Sequence, residues 1–112
     1  MSDPARQDRQ YLISLRLHQK VLEHLKTEPE VVLRKGLEGA AKIRGNTRGQ
    51  ATVMVDEWVR VLETGDLDRI HSLLTGSDEY AAEMRHLTPF INVITATERD
   101  SIYEEFKEQA VL

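Results

Sequence analysis

The sequence predicts an all-α fold, a single-domain bundle of about five or six helices over residues 1–112. Three observations carry this. Apolar residues recur three and four apart in successive segments, helix start and stop residues punctuate the chain, and no stretch makes a convincing strand. A chain of 112 residues buries roughly two thirds of its unfolded surface. That is enough for one modest core and a net stability on the order of 5–10 kcal/mol. Residues 1–8 and 110–112 are expected to be flexible ends.

The first helix is expected from about Ala5 to Leu25, with Asp3-Pro4 supplying an N-cap and a proline at the first helical position. Tyr11, Leu15, His18, Leu22 and Leu25 form one apolar face, and Ile13, Leu17 and Val21 add a flanking row. Thr27-Glu28-Pro29-Glu30 reads as a capping box for the second helix. That helix carries Gly36 and Gly39, each costing about 1 kcal/mol relative to alanine unless another segment approaches closely; close packing is the expectation. Thr47-x-x-Gln50 offers a further capping box after the Gly45–Gly49 turn. The third helix then presents Ala51, Met54, Val55, Trp58, Val61 and Leu62 as a stripe, with Asp56, Glu57 and Arg60 on the other face.

Gly65 is a natural stop and Asp66 a cap, followed by a short helix with Leu67, Ile70, Leu73 and Leu74 facing inward. Gly76 ends it, and Ser77 opens a fifth helix over Asp78 to about Leu87. Thr88-Pro89 breaks the chain, because proline disfavours helical geometry in the residue before it. Phe90 to Thr95 is a helical turn or extended connector. Thr97 with Asp100 is expected to cap a last helix from Glu98 to about Gln109.

Composition excludes several classes. No apolar run approaches the roughly 20 residues that span a bilayer, and Met-Ser-Asp-Pro lacks the features of a signal peptide. There is no cysteine, hence no disulfide framework or thiolate metal site. A cytoplasmic protein is the expectation. The net charge of −4 and pI near 5.5 argue against nucleic acid as the main ligand, since phosphate binding needs clustered lysine and arginine.

The four histidines, His18, His24, His71 and His86, show no metal-binding spacing. The acidic pairs lie mostly at helix starts, where they complement the macrodipole. No nucleophile elbow or phosphate loop is present, so neither enzymatic activity nor any cofactor, metal or small-molecule substrate is expected. Arg34, Lys35, Lys42, Arg44 and Arg48 form one basic cluster, readable as a DNA contact or as a solvated face diluted by Glu30 and Glu38.

The segment after the proline differs in kind. Pro89, Phe90, Ile91, Asn92, Val93 and Ile94 crowd four apolar residues into the five positions after the break, with Arg85 before them and Arg99 and Tyr103 after. Either they close one end of the bundle, or they form a wedge pressed into a partner. Buried aromatics near arginine dominate interface energetics, and Arg85 and Arg99 would pair with acidic groups there.

Met84-Arg85-His86-Leu87-Thr88-Pro89-Phe90-Ile91-Asn92-Val93-Ile94-Thr95, with Glu98-Arg99, resembles the C-terminal block of small helical antitoxins from bacterial toxin–antitoxin operons. That block reads roughly Leu-Arg-x-x-Ser-Pro-Phe-Ala-x-Val-Leu-Thr-x-x-Glu-Arg. Glu30–Leu37 and Asp56–Leu62 are looser matches, and an earlier tryptophan of the family pattern is missing. His86-Leu87-Thr88 replaces a more polar triplet, and Ile91-Asn92 replaces the usual small pair. The resemblance implies a subunit that neutralises a nucleotidyltransferase-type toxin by contact, with a kinase-like or nuclease toxin as substitute. The alternatives are a DNA-binding regulator of its own operon, acting through Arg34–Arg48, and a helical module that forms homodimers through the face of residues 11–25.

Overall fold

The helices of this chain are set by where it can break. The computed structural model of the protein describes residues 4–111, with side chains over residues 9–107. It contains α1 (Pro4–Thr27), α2 (Pro29–Arg44), α3 (Gln50–Thr64), α4 (Leu67–Thr75), α5 (Glu79–His86) and α6 (Ala96–Val111), with no strand among the described residues. The all-α bundle is therefore as the sequence predicts. The N-cap assigned to Asp3 and the residue at the extreme C-terminus lie outside the described residues.

Helix α1 is the central element, packing against α2, α4, α5 and α6. Both of its predicted rows are used: Val21 and Leu25 are buried, and Leu15, Leu17 and Leu22 are half-buried. Its end differs from expectation. Helical geometry runs on through Thr27, whose hydroxyl donates to the carbonyls of Glu23 and His24 instead of capping α2. Only Glu28 separates the two helices, and its N–H donates to the His24 carbonyl at 2.7 Å. Pro29 at the start of α2 removes one of the unpaired N–H groups of its first turn, and no side chain caps the others.

The second expected capping box is also absent. Helix α3 opens at Gln50 after Gly49, which has φ of +62°, and Thr47 instead donates to the Arg44 carbonyl. Its far end follows expectation. Gly65 is left-handed (φ +66°), its N–H meets the Leu62 carbonyl, and the N–H of Asp66 reaches the Val61 carbonyl, closing a Schellman turn. Asp66 and Asp78 then cap α4 and α5, accepting from the N–H groups of Arg69 and Ala81. Leu67 departs from its inward assignment. It is the first residue of α4 and is exposed, while Ile70, Leu73 and Leu74 carry the buried face.

The core joins Val21 and Leu25 of α1 to Val32 of α2, Trp58 and Leu62 of α3, the α4 leucines, Met84 and Phe90. Gly36 and Gly39 explain how α2 fits against it. A Cβ at Gly39 would lie 2.0 Å from the Pro89 carbonyl oxygen. One at Gly36 would lie 3.0 Å from Phe90 Cε1 and 3.1 Å from Leu62 Cδ1. Both glycines therefore buy a close approach that alanine would block.

The sign of one substitution separates packing from propensity. In an open helix Gly39→Ala would stabilise by about 1 kcal/mol. Here the methyl meets backbone, so a net loss of about 1–3 kcal/mol is expected in urea denaturation.

Candidate functional site

The connector between α5 and α6 is a tight turn. The Thr88 hydroxyl accepts from the N–H of Phe90, and the N–H of Val93 returns to the Phe90 carbonyl at 3.0 Å. This geometry splits the predicted wedge. Phe90 is 1% exposed and meets Trp58 edge-to-face, with ring centroids 5.2 Å apart at 88°. Trp58 is fixed in turn by its indole N–H, which donates to the Met84 carbonyl at 2.9 Å. Pro89 and Val93 are also buried. These three residues close the bundle from within, and the expectation that Phe90 presses into a partner is corrected. Its ring fills the space left by Gly36, so it is not free to dock.

The surface passes instead to the residues between and after those three. Ile91 is 58% exposed, Asn92 is exposed and Ile94 is half-buried. Across from them on α6, Tyr103 is 47% exposed. Arg99 lies between, with Nη2 donating to the Ile91 carbonyl at 3.2 Å. Ile91, Ile94, Arg99 and Tyr103, with Thr88, the buried Phe90 and Leu17, His18 and Val21 of α1, line an open, mainly apolar groove of about 280 Å³, and Asn92 lies outside it. Among the described residues Arg99 has no carboxylate partner.

His18 forms part of that groove's floor. It is 4% exposed, and its Nδ1 lies 2.7 Å from the Ser14 carbonyl, the geometry of a neutral ring donating through Nδ1. Burial pushes its pKa down to about 4; the Ser14 carbonyl opposes this and the nearby Arg85 charge adds to it. At neutral pH the groove therefore meets an uncharged imidazole.

Arg85 is also not where a flanking surface arginine would be. It is 3% exposed, with Nη1 donating to the Leu73 carbonyl at 2.8 Å and its guanidinium carbon 5.7 Å from the Tyr11 ring centroid.

The start of α6 holds a pattern assigned elsewhere in the sequence. Thr95 and Glu98 form the reciprocal capping box, the Thr95 hydroxyl accepting from the N–H of Glu98 and the Glu98 carboxylate from that of Thr95. The expected cap at Thr97 is thus two residues late. Glu98 also meets His24 Nε2 at 2.9 Å, tying the end of α1 to the start of α6. The backbone N–H of Thr95, foremost, holds the Glu98 carboxyl below its ordinary range, with His24 assisting. Thr95-x-x-Glu98 was visible in the sequence by the same rule that suggested Thr27 and Thr47. His24 pairs across 74 positions and had no local signal.

The basic cluster does not converge. At about 100° per residue, Arg34, Lys35, Lys42 and Arg44 spread over roughly half the circumference of α2. Arg44 is already engaged, its Nε 2.6 Å from Asp56. The face of residues 11–25 expected to self-associate is largely taken up by the chain's own helices. Among the described residues, no three His, Asp or Glu side chains are grouped as metal ligands, and no helix is long and apolar enough to cross a membrane. No family model, curated protein or solved structure matches this chain.

His18 gives the fold a pH dependence of fixed sign. Between its unfolded value of 6.5 and its folded value of about 4 the unfolded chain binds the extra proton. Its contribution is therefore full above pH 6.5 and is lost as pH falls towards 4, about 3 kcal/mol in all. Urea melts from pH 7 to pH 4.5 should show a shallower decline for His18→Leu than for the parent chain.

Proposed function

We propose that this chain is an antitoxin-like subunit that neutralises a co-expressed toxin by direct protein contact, without chemistry of its own. The observation that carries the reading is the groove beside the Pro-Phe turn. Exposed Ile91 and Tyr103 flank an apolar floor, with Arg99 free of any carboxylate among the described residues. An apolar surface rimmed by a cation suits a partner that presents an apolar side chain beside an acidic one. The resemblance of residues 84–106 to the antitoxin block supplies the class of partner, with a nucleotidyltransferase-type toxin favoured. Neutralisation would then be occlusion, the partner's catalytic cleft being covered by this end of the bundle.

The docking residues of the reading are Ile91, Asn92, Ile94, Arg99 and Tyr103, while Pro89, Phe90 and Val93 shape the turn that presents them. The DNA-regulator reading has no comparable support, because its arginines diverge around α2 and one is paired.

Two kinds of variant separate these roles. Co-expression with the genomic neighbour and affinity capture should recover a complex that inhibits the neighbour's toxicity. Ile91→Asp combined with Tyr103→Ala should leave the fold intact and weaken inhibition by roughly 30-fold or more, the effect of losing interface hot spots. Phe90→Ala should instead lower stability by about 3–5 kcal/mol. Full inhibition by the well-folded double variant would defeat the docking surface.

A further inference from the structure

A second pocket, of about 330 Å³, opens between α1 and α5 and is lined by Gln10, Tyr11, Ser14, Ala82, Arg85 and His86. The groove at Ile91 does not share these residues, but it lies next along α1: Ser14 precedes His18 by one helical turn, about 6 Å of rise. Arg85 lines the pocket with an unusual deficit. Its Nη1 is taken by the Leu73 carbonyl, whereas Nη2 is buried and has no hydrogen-bond partner among the described residues. Among the described residues no carboxylate lies within ion-pair distance of it. A buried guanidinium normally has its donors met and its charge balanced, because an uncompensated charge out of water is costly. The face of Tyr11 offsets only part of that cost.

We propose that this pocket is a receptor for a single carboxylate, with Arg85 Nη2 as its charged donor. Gln10, Tyr11, Ser14 and His86 line the same pocket and carry further hydrogen-bond donors for the second oxygen. One guanidinium balances one carboxylate charge, and among the described residues no lysine or second arginine lines the pocket to meet a phosphate dianion. Entry requires the Tyr11 ring to swing off the guanidinium. The source of the carboxylate rests on the docking reading: an aspartate or glutamate of the partner, placed about one helical turn along α1 from the apolar side chain in the groove.

The site is tested on the full chain without any partner, so its failure is distinct from failure of the docking reading. Acetate is titrated against chloride at matched ionic strength, following the side-chain N–H signals of Arg85 and the ring signals of Tyr11 by NMR. Saturable shifts of both with acetate, and none with chloride, are expected. Arg85→Met should abolish the acetate response. Should that variant not fold, Gln10→Ala combined with Ser14→Ala, at the pocket's lip, should weaken acetate roughly tenfold through its lost hydrogen bonds. A short peptide with glutamate between leucines, compared with its glutamine counterpart, identifies the source. Binding tighter than acetate that the glutamine peptide loses supports a polypeptide carboxylate, and binding no tighter supports a free one. A linear acetate response, an equal response to inorganic phosphate, or a response unchanged in the lip variant overturns the proposal.

Discussion

The close contact between Gly39 and the Pro89 carbonyl is the constraint on which this end of the molecule depends. A carbonyl can approach a helix axis this nearly only where no Cβ intervenes, and it brings the backbone of the α5–α6 turn down onto α2. Phe90 then enters the space beside Gly36 and meets the edge of Trp58. Trp58 in turn holds the last turn of α5 through the Met84 carbonyl. Three helices and a turn are thus joined by contacts that need each other. Because Phe90 and Val93 are the two ends of one hydrogen-bonded turn, seating both inward leaves Ile91 and Asn92 between them to face out.

The polar groups of the interior follow a different economy. Trp58 and His18 each meet a backbone carbonyl, so burying them satisfies a donor at modest cost. Arg85 is the exception, carrying a full charge with one donor group met and one unmet. Its field also acts on His18, adding to the burial that keeps the imidazole neutral. The two groups therefore divide the work along α1. The groove beside Ile91 has an uncharged floor, and the pocket beside Ser14 has a concentrated positive charge.

The helices were legible because their signals are local and redundant. The Gly65 stop, the Asp66 cap and the Trp58 stripe each combine a residue type with a spacing that suits one arrangement, whereas the fifth helix is capped by Asp78, one residue after the expected Ser77. The start of α2 was misread because the same four-residue pattern fits any helix start, and nothing local says that α1 continues through Thr27. The same degeneracy hid Thr95, which competed with Thr97 for one cap. At the candidate site, crowding of apolar residues after Pro89 was visible, but their division between core and surface was not. That division depends on Gly39, fifty positions earlier in the chain, and sequence spacing does not report it. Arg85 was read as an arginine flanking the wedge, and its burial depends on the positions of Leu73 and Tyr11, which spacing does not report.

The division also bears on what a motif match of this kind can mean. The positions where residues 84–99 agree with the antitoxin block include Arg85, Pro89, Phe90 and Val93, all buried, and Thr95 and Glu98, which cap α6. The departures include His86, Ile91 and Asn92, all exposed. The agreeing positions thus include buried residues of this fold, together with the half-buried Arg99, and the departures include both the exposed Ile91 and Asn92 and the half-buried Leu87 and Thr88. Replacing a small pair by Ile91-Asn92 enlarges the apolar surface at the mouth of the groove. A partner shaped for the small pair would meet the added Ile91 side chain as a steric obstacle, and one with a matching hollow would gain buried area.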